Sequence, residues 1–124
     1  MRKIVTTVAC CILVSISSTA SRAQTRDASK QEESLKQADE ALNAAFQRLL
    51  AKISPDRQTA LRKAETTWVS FRDQECEFEA LGSKGGSVHS LAIMACRERV
   101  TRTRTGELLA LVNCPEGDVA CGHQ

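Results

Sequence analysis

The sequence has 124 residues, which is enough for one domain, and only 3% of them are aromatic. Its formal net charge is +2, from 17 basic and 15 acidic side chains. Removal of the N-terminal segment described next takes away Arg2, Lys3 and Arg22 and changes the net charge to −1. The charge therefore gives no support for long-range attraction to nucleic acid, and we expect no nucleic-acid partner.

Residues 1–23 have the pattern of a cleavable secretory signal peptide. A basic start is followed by an apolar run over residues 4–16 and by small residues up to Ala23. The run is shorter than the roughly 20 residues of a membrane-spanning helix, which is the alternative interpretation. A lipoprotein signal cut before Cys10 would leave a still shorter apolar core. We therefore predict a periplasmic or secreted protein that is cleaved near Ala23 and keeps no stable membrane anchor.

The segment after the signal, residues 24–34, is polar, and we expect it to form a flexible lead-in. Residues 35–112 are predicted to form the helical domain. In its first helix, apolar residues recur at steps of three and four, which is the spacing of one helix face. These residues are Leu35, Ala38, Leu42, Ala45, Phe46, Leu49 and Ile53.

A second helix is predicted from about Pro55 to Leu81. Serine suits the N-cap and proline suits the first helical position, so Ser54 and Pro55 end one helix and begin the next. Helices joined this closely fold back as an antiparallel hairpin. The apolar face of the second helix, which we expect in the core, is formed by Leu61, Ala64, Trp68, Phe71 and Phe78.

A glycine-containing loop over Gly82–Ser90 separates the second helix from the third. The third helix is predicted from about Leu91 to Val112, and its buried side from Leu91, Met94, Val100, Leu108 and Leu111. Residues 113–124 form a non-helical, cysteine-containing tail. Since no strand alternation is present, the expected fold is all-α: a small antiparallel three-helix bundle stapled by disulfides.

Four cysteines remain after signal cleavage, an even number in a short exported chain, which indicates two disulfides. In a continuous third helix, Cys96 and Cys114 would lie about 27 Å apart, beyond the reach of a disulfide. Antiparallel packing brings the end of helix two to the start of helix three. We therefore pair Cys76 with Cys96, and Cys114 with Cys121. Free thiols and a zinc site are the alternatives, but the closely spaced cysteine pairs of zinc sites are missing, so no metal is expected.

Two motifs in the second half of the chain carry a resemblance to a known family. The first, W-x-x-F-R-x-x-x-C, is formed by Trp68, Phe71, Arg72 and Cys76. The second, C-x4-T-x2-R-x3-L, follows the glycine loop and is formed by Cys96, Thr101, Arg104 and Leu108. Together they resemble the lysozyme inhibitor LprI-like N-terminal domain, over about Ala38 to Leu111. The resemblance implies an exported protein that inhibits lysozyme by binding it; without a convincing lipobox, no lipid anchor is implied.

The partner-binding site is expected in the glycine loop, where a stiffened, protruding segment can enter a lysozyme cleft and meet its two catalytic carboxylates. The candidate residues of this loop are Lys84, Gly85, Gly86, Ser87 and His89. Acidic residues before the loop would suit a basic lysozyme surface; they are Glu75, Glu77 and Glu79.

Arg72 and Asp73 are further candidates for partner binding, as a polar patch on the second helix. The structural alternative is that they form ion pairs between helices. The pairs considered are Arg72 with Glu107 or Glu75, and Asp73 with Arg97 or Arg104.

No catalytic set is found in the sequence. Neither His89 nor His123 has a serine, cysteine or aspartate placed for a triad, and no phosphate-binding or dinucleotide motif is present, so we expect neither an enzyme nor a cofactor. Basic residues of the third helix spread over more than one face, unlike a nucleic-acid stripe. The alternative function is a cell-envelope binding or accessory module whose partner is not lysozyme.

Overall fold

The computed structural model describes residues 10–115 of the chain, with side chains from Arg22 onward. Most of this part folds into three α-helices and a short 3-10 helix, which are α1 (Cys10–Leu50), α2 (Pro55–Glu79), the 3-10 helix (Ala80–Ser83) and α3 (His89–Val112). The predicted all-α fold with three helices is confirmed. Within the described range, no helix is both long enough and apolar enough to cross a membrane.

Successive helices run antiparallel, so α1 and α3 point in the same direction. Two hydrogen bonds along the α1–α3 pair fix this direction: Gln31 Nε2 donates to Glu98 Oε2 over 2.5 Å, and Lys52 Nζ donates to the Val112 carbonyl over 2.8 Å. The largest interface between described helices is formed by α1 and α3. Helix α2 packs against α3 from the side, and its C-terminal end meets the start of α3.

The core lies between α1 and α3. Its buried cluster consists of Leu42, Ala45, Leu49, Leu108 and Val112. Partly buried side chains pack around it, namely Phe46, Ile53, Leu61, Trp68 and Leu109. The apolar face predicted for the first helix is therefore the face that is buried, because one stripe of the C-terminal half of α1 is covered by α3.

Part of the predicted apolar face of α2 does not enter the core. Phe71 is 54% exposed and Phe78 is 69% exposed, and Ala64 is exposed as well. The inward side of α2 carries Arg72 and Cys76 instead, which form polar and covalent links to the other helices. The apolar periodicity of α2 thus marks two faces, one packed and one open to solvent.

Helix α3 also buries a different set of residues from the one predicted. Leu108 is fully buried as expected, but Leu111 is 37% exposed. The adjacent Val112, with 1% exposure, takes the core position, and Thr101 is completely buried. Thr101 is buried because its hydroxyl has a hydrogen-bond partner in a neighbouring helix, which offsets the cost of removing a polar group from water.

Residues 24–34 are helical, in place of the flexible lead-in expected from their polarity, and continue α1 without a break. Two of their side chains bind α3: Ser34 Oγ donates to Glu98 Oε1 over 2.7 Å, beside the Gln31 bond to the same carboxylate. The side chains of residues 22–27 are exposed. The predicted cleavage near Ala23 would therefore leave this contact with α3 in place.

The α1–α2 corner is closed by a glutamine side chain. Pro55 occupies the first turn of α2 as predicted, but Ser54 at the N-cap makes no side-chain capping hydrogen bond. Instead, Gln58 Nε2 donates to the carbonyls of Leu50 and Ile53, at 3.0 and 3.2 Å. Leu50 is the last residue of α1 and Ile53 lies in the connection to α2, so Gln58 caps the end of α1 and ties the connection to α2.

The disulfide predicted between helices two and three is confirmed. Cys76 and Cys96 are bonded with their Cα atoms 5.5 Å apart, and both side chains are buried. The second predicted pair, Cys114 with Cys121, includes a residue outside the described part of the chain, so it stays a prediction.

Replacing Cys76 and Cys96 together with alanine is expected to lower the free energy of unfolding by about 3 kcal/mol. The bond closes a loop of 20 residues, and opening it returns conformational freedom to the unfolded chain. Urea unfolding followed by circular dichroism measures this change. An unchanged midpoint in the double variant would contradict it.

Acidification is expected to weaken the contact between α1 and α3 at Glu98. Hydrogen bonds from Ser34, Arg102 and Gln31 hold the pKa of Glu98 below its usual value. This stabilisation is complete above the unfolded-state pKa of about 4.3, and it is lost as the pH falls through the lower folded-state pKa. In urea unfolding, Glu98→Gln should therefore be less stable than the natural chain at neutral pH, and the difference should shrink on acidification. A difference that stays constant with pH would contradict this assignment.

Candidate partner-binding site

The loop between α2 and α3 projects from one end of the bundle. After α2 ends, the chain makes the 3-10 turn and then bends at Gly85, whose φ of +83° is in the region that favours glycine. Backbone hydrogen bonds tighten the turn, from Gly86 N to Ser83 O (3.0 Å) and from His89 N to Gly86 O (3.2 Å). The loop therefore has a defined backbone shape between two helix ends.

His89 fixes the base of this loop. Its Nδ1 lies 3.2 Å from Ser83 Oγ and 3.2 Å from the Ala80 carbonyl, and Ser83 Oγ donates to that same carbonyl over 2.8 Å. The ring is half-buried. One imidazole thus joins the start of α3 to the 3-10 turn, so this histidine, a candidate for partner contact, also has a role within the fold.

The residues at the tip of the loop are open to solvent. Lys84, Gly85, Gly86 and Ser87 are all exposed, and their role in partner binding stays a prediction. The Cys76–Cys96 disulfide ties together the two helices that carry the loop. A loop held at both ends in this way loses little conformational entropy when it binds a partner.

Two exposed apolar side chains stand beside the loop tip, and sequence reasoning missed both. Leu81 is 54% exposed and Val88 is 52% exposed. The helical pattern of α2 extends to Leu81, and Val88 belongs to no helical pattern. The sequence feature that could have predicted their exposure is their position next to glycines. Apolar residues in a turn do not belong to a helix face that packs into the core, so periodicity does not identify them.

The acidic residues before the loop differ in their availability. Glu79 Oε1 lies 2.6 Å from Arg99 Nη2, in an exposed ion pair. Glu75 is half-buried and Glu77 is exposed, and neither forms an ion pair within residues 22–115. Glu75 and Glu77 therefore supply the unpaired negative charge at this end of α2.

Arg72 lies between the three helices. Its Nη1 donates to Asp39 Oδ1 on α1 (3.0 Å) and to Thr101 Oγ1 on α3 (3.1 Å), while its Nε donates to Asp73 Oδ1 (3.2 Å). The guanidinium carbon is 5.4 Å from the centre of the Trp68 ring, a cation–π distance. With 13% of its side chain exposed, Arg72 has little surface to offer a partner.

Asp73 connects this network to α3. Its Oδ1 lies 3.2 Å from Arg97 Nε, which is one of the two pairings considered for it from the sequence. Arg72 forms neither of its expected pairs and binds Asp39 and Asp73 instead. The loop residues thus form one exposed surface, and Arg72 and Asp73 belong to a separate network between the helices, in which Arg72 is mostly buried and Asp73 is 41% exposed.

A second ion-pair network joins α2 and α3 about two turns further from the loop. The Arg104 guanidinium bonds to Glu65 on α2 and to Glu107 on its own helix. Burial alone would lower the pKa of Arg104, but the bonds to the two carboxylates raise it overall. Arg104 therefore stays a cation and forms a fixed link between the helices.

Comparisons with known proteins agree with the resemblance noted in the sequence. The profile of the family described as "Lysozyme inhibitor LprI" matches residues 16–108, most of the chain. An uncharacterized protein from Rhizobium meliloti (strain 1021) is 37% identical over 57 residues, which is 46% of this chain and 41% of that relative. The chain thus spans well under two thirds of the relative's length. No solved structure matches it.

Arg72→Ala is expected to lower the free energy of unfolding by about 2–3 kcal/mol, because it leaves the buried Thr101 hydroxyl without its donor and Asp39 without its cation. Arg99→Ala is the matched control. It removes an exposed arginine–glutamate pair, which contributes at most about 1 kcal/mol. Equal losses in urea unfolding for the two variants would contradict the central role of Arg72.

Proposed function

Because the chain belongs to the LprI lysozyme inhibitor family, we propose that it is an exported inhibitor that binds a lysozyme-type muramidase through the loop between α2 and α3. The loop inserts into the cleft of the enzyme and denies it to the cell-wall substrate. Inhibition by binding requires no catalytic group in the inhibitor itself, and none is assigned to this chain.

The contacts that restrain the loop are the observation that carries this proposal. The disulfide, the His89 bonds and the turn at Gly85 restrain both sides of the Lys84–Ser87 segment at the end of the bundle. An inhibitor that presents a preformed loop avoids the ordering cost of a flexible one, so more of its contact energy appears as affinity.

The charge of the loop tip suits the inside of a lysozyme cleft. Glycoside hydrolases of this type use a pair of carboxylic side chains to cleave the glycosidic bond. Lys84 is exposed and forms no ion pair within residues 22–115, so its ammonium group is available to a carboxylate in the cleft. Gly85 and Gly86 leave the backbone bare, which allows a close approach.

The surroundings of the loop suit the rim of such a cleft. Leu81 and Val88 offer apolar area beside the tip, and Glu75 and Glu77 offer negative charge to a basic enzyme surface. We also propose that the protein is exported. Disulfides such as Cys76–Cys96 form and persist in oxidising compartments, for example the periplasm or the extracellular space, and are rare in the cytosol.

Lys84→Glu is expected to weaken inhibition at least about tenfold, because it places a negative charge against the catalytic carboxylates of the cleft. Lys36→Glu on the exposed side of α1 is the matched control, with the same change of charge away from the loop, and it should inhibit like the natural chain. The measurement is the clearance of cell-wall suspensions by lysozymes of different types, with the inhibitor titrated.

Two results would contradict the proposed inhibition through the loop. One is undiminished cell-wall clearance by every lysozyme type tested at a large molar excess of the natural chain. The other is an equal loss of inhibition in both variants, which would place the contact elsewhere. The first result would favour a cell-envelope binding module with a different partner.

A further inference from the structure

One side of α2, next to the groove that it forms with the other helices, carries a largely apolar stripe that the described residues leave mostly exposed. It consists of Arg57, Ala60, Ala64, Phe71, Glu75 and Phe78, which recur at steps of three, four and seven and so share one helix face. Phe71 and Phe78 are more than half exposed, and Ala60 and Ala64 are exposed as well. We call this surface the outer stripe.

The outer stripe combines a hollow with a protruding ring. Ala60 and Ala64 line two neighbouring cavities, of about 440 and 600 Å³, and Phe71 stands at the edge of the larger one. The hollow lies where these small side chains leave a gap between α2 and the other helices, with Leu61 and Trp68 on the α2 side and Leu49 and Leu111 facing them. Such a surface is complementary to a second helix that places a large side chain in the hollow and a small side chain against the Phe71 ring.

We propose that the partner of the outer stripe is a second copy of this chain, with the two α2 helices antiparallel about a two-fold axis at the level of Thr66. Residues equally far from Thr66 along the helix then lie opposite each other. Phe71 of each copy meets Leu61 of the other, beside its Ala60 and Ala64. Each ring therefore enters the hollow of the other copy, which makes the contact self-complementary.

Charges along α2 favour this partner and this direction. Arg57 lies near the start of the helix and Glu75 near its end, and neither forms an ion pair within residues 22–115. Both are equally far from Thr66, so the antiparallel pairing places each Glu75 opposite an Arg57 of the other copy. A parallel pairing would place like charges opposite each other, which is unfavourable. Phe78 extends the stripe beyond Glu75 at one end.

Sedimentation equilibrium of the purified full-length chain tests the association. At about 100 μM, where a micromolar complex is saturated, we expect the mass of two chains, with dissociation on dilution. Phe71→Asp should give a monomer at that concentration. Leu81→Asp is the matched control, because Leu81 has the same 54% exposure but lies off the stripe, and it should remain a dimer. Circular dichroism verifies that both variants are folded.

A charge exchange tests the direction of pairing. Glu75→Arg alone should weaken the dimer at least about tenfold, and Glu75→Arg combined with Arg57→Glu should restore it, because the opposite charges are then re-formed across the axis. A natural chain that is monomeric at 100 μM overturns the proposal, as does a dimer that survives Phe71→Asp. Failure of the double exchange to restore a dimer lost in Glu75→Arg overturns the antiparallel register. None of these outcomes depends on lysozyme inhibition.

Discussion

One guanidinium group holds the three helices in register. Arg72 donates hydrogen bonds to α1 through Asp39 and to α3 through Thr101, and its guanidinium carbon lies 5.4 Å from the centre of the Trp68 ring. The apolar core of this domain is small and is formed mainly by α1 and α3, so α2 has limited hydrophobic area with which to fix its position. A buried arginine with directional bonds specifies the position of α2 along the bundle, which apolar packing alone does not do.

The position of α2 determines the rest of the molecule. Once Arg72 is bound, Cys76 lies one turn further along α2 and reaches Cys96, and the resulting disulfide fixes the ends from which the loop projects. The same rotation of α2 turns Phe71 and Phe78 outward. The stiff loop and the exposed stripe are therefore two consequences of one polar contact. Because Arg72 and Cys76 occupy the inward face of α2, the apolar residues Phe71 and Phe78 lie on a second face of the helix, outside the core.

Those parts of the fold that depend on one local sequence pattern could be predicted from the sequence. The apolar stripe of α1 gave its buried face, and the antiparallel hairpin with its glycine loop gave the Cys76–Cys96 bond. Arg72 was singled out, but not its partners, because Asp39 and Thr101 are 33 and 29 residues away along the chain. Periodicity also could not tell which of two apolar faces of α2 was packed, since both repeat at helical spacing.

The two proposed surfaces share one residue, Glu75, and otherwise use different ones. The loop extends from the C-terminal end of α2, whereas the outer stripe lies along its side. In the antiparallel pairing inferred for α2, the C-terminal ends of the two helices point in opposite directions, so the two loops lie at opposite ends of the dimer. Such a dimer cannot place both loops in one cleft. Its second loop raises the apparent affinity only where enzyme molecules are held close together, as on a cell-wall surface, because only there does the second binding event become intramolecular.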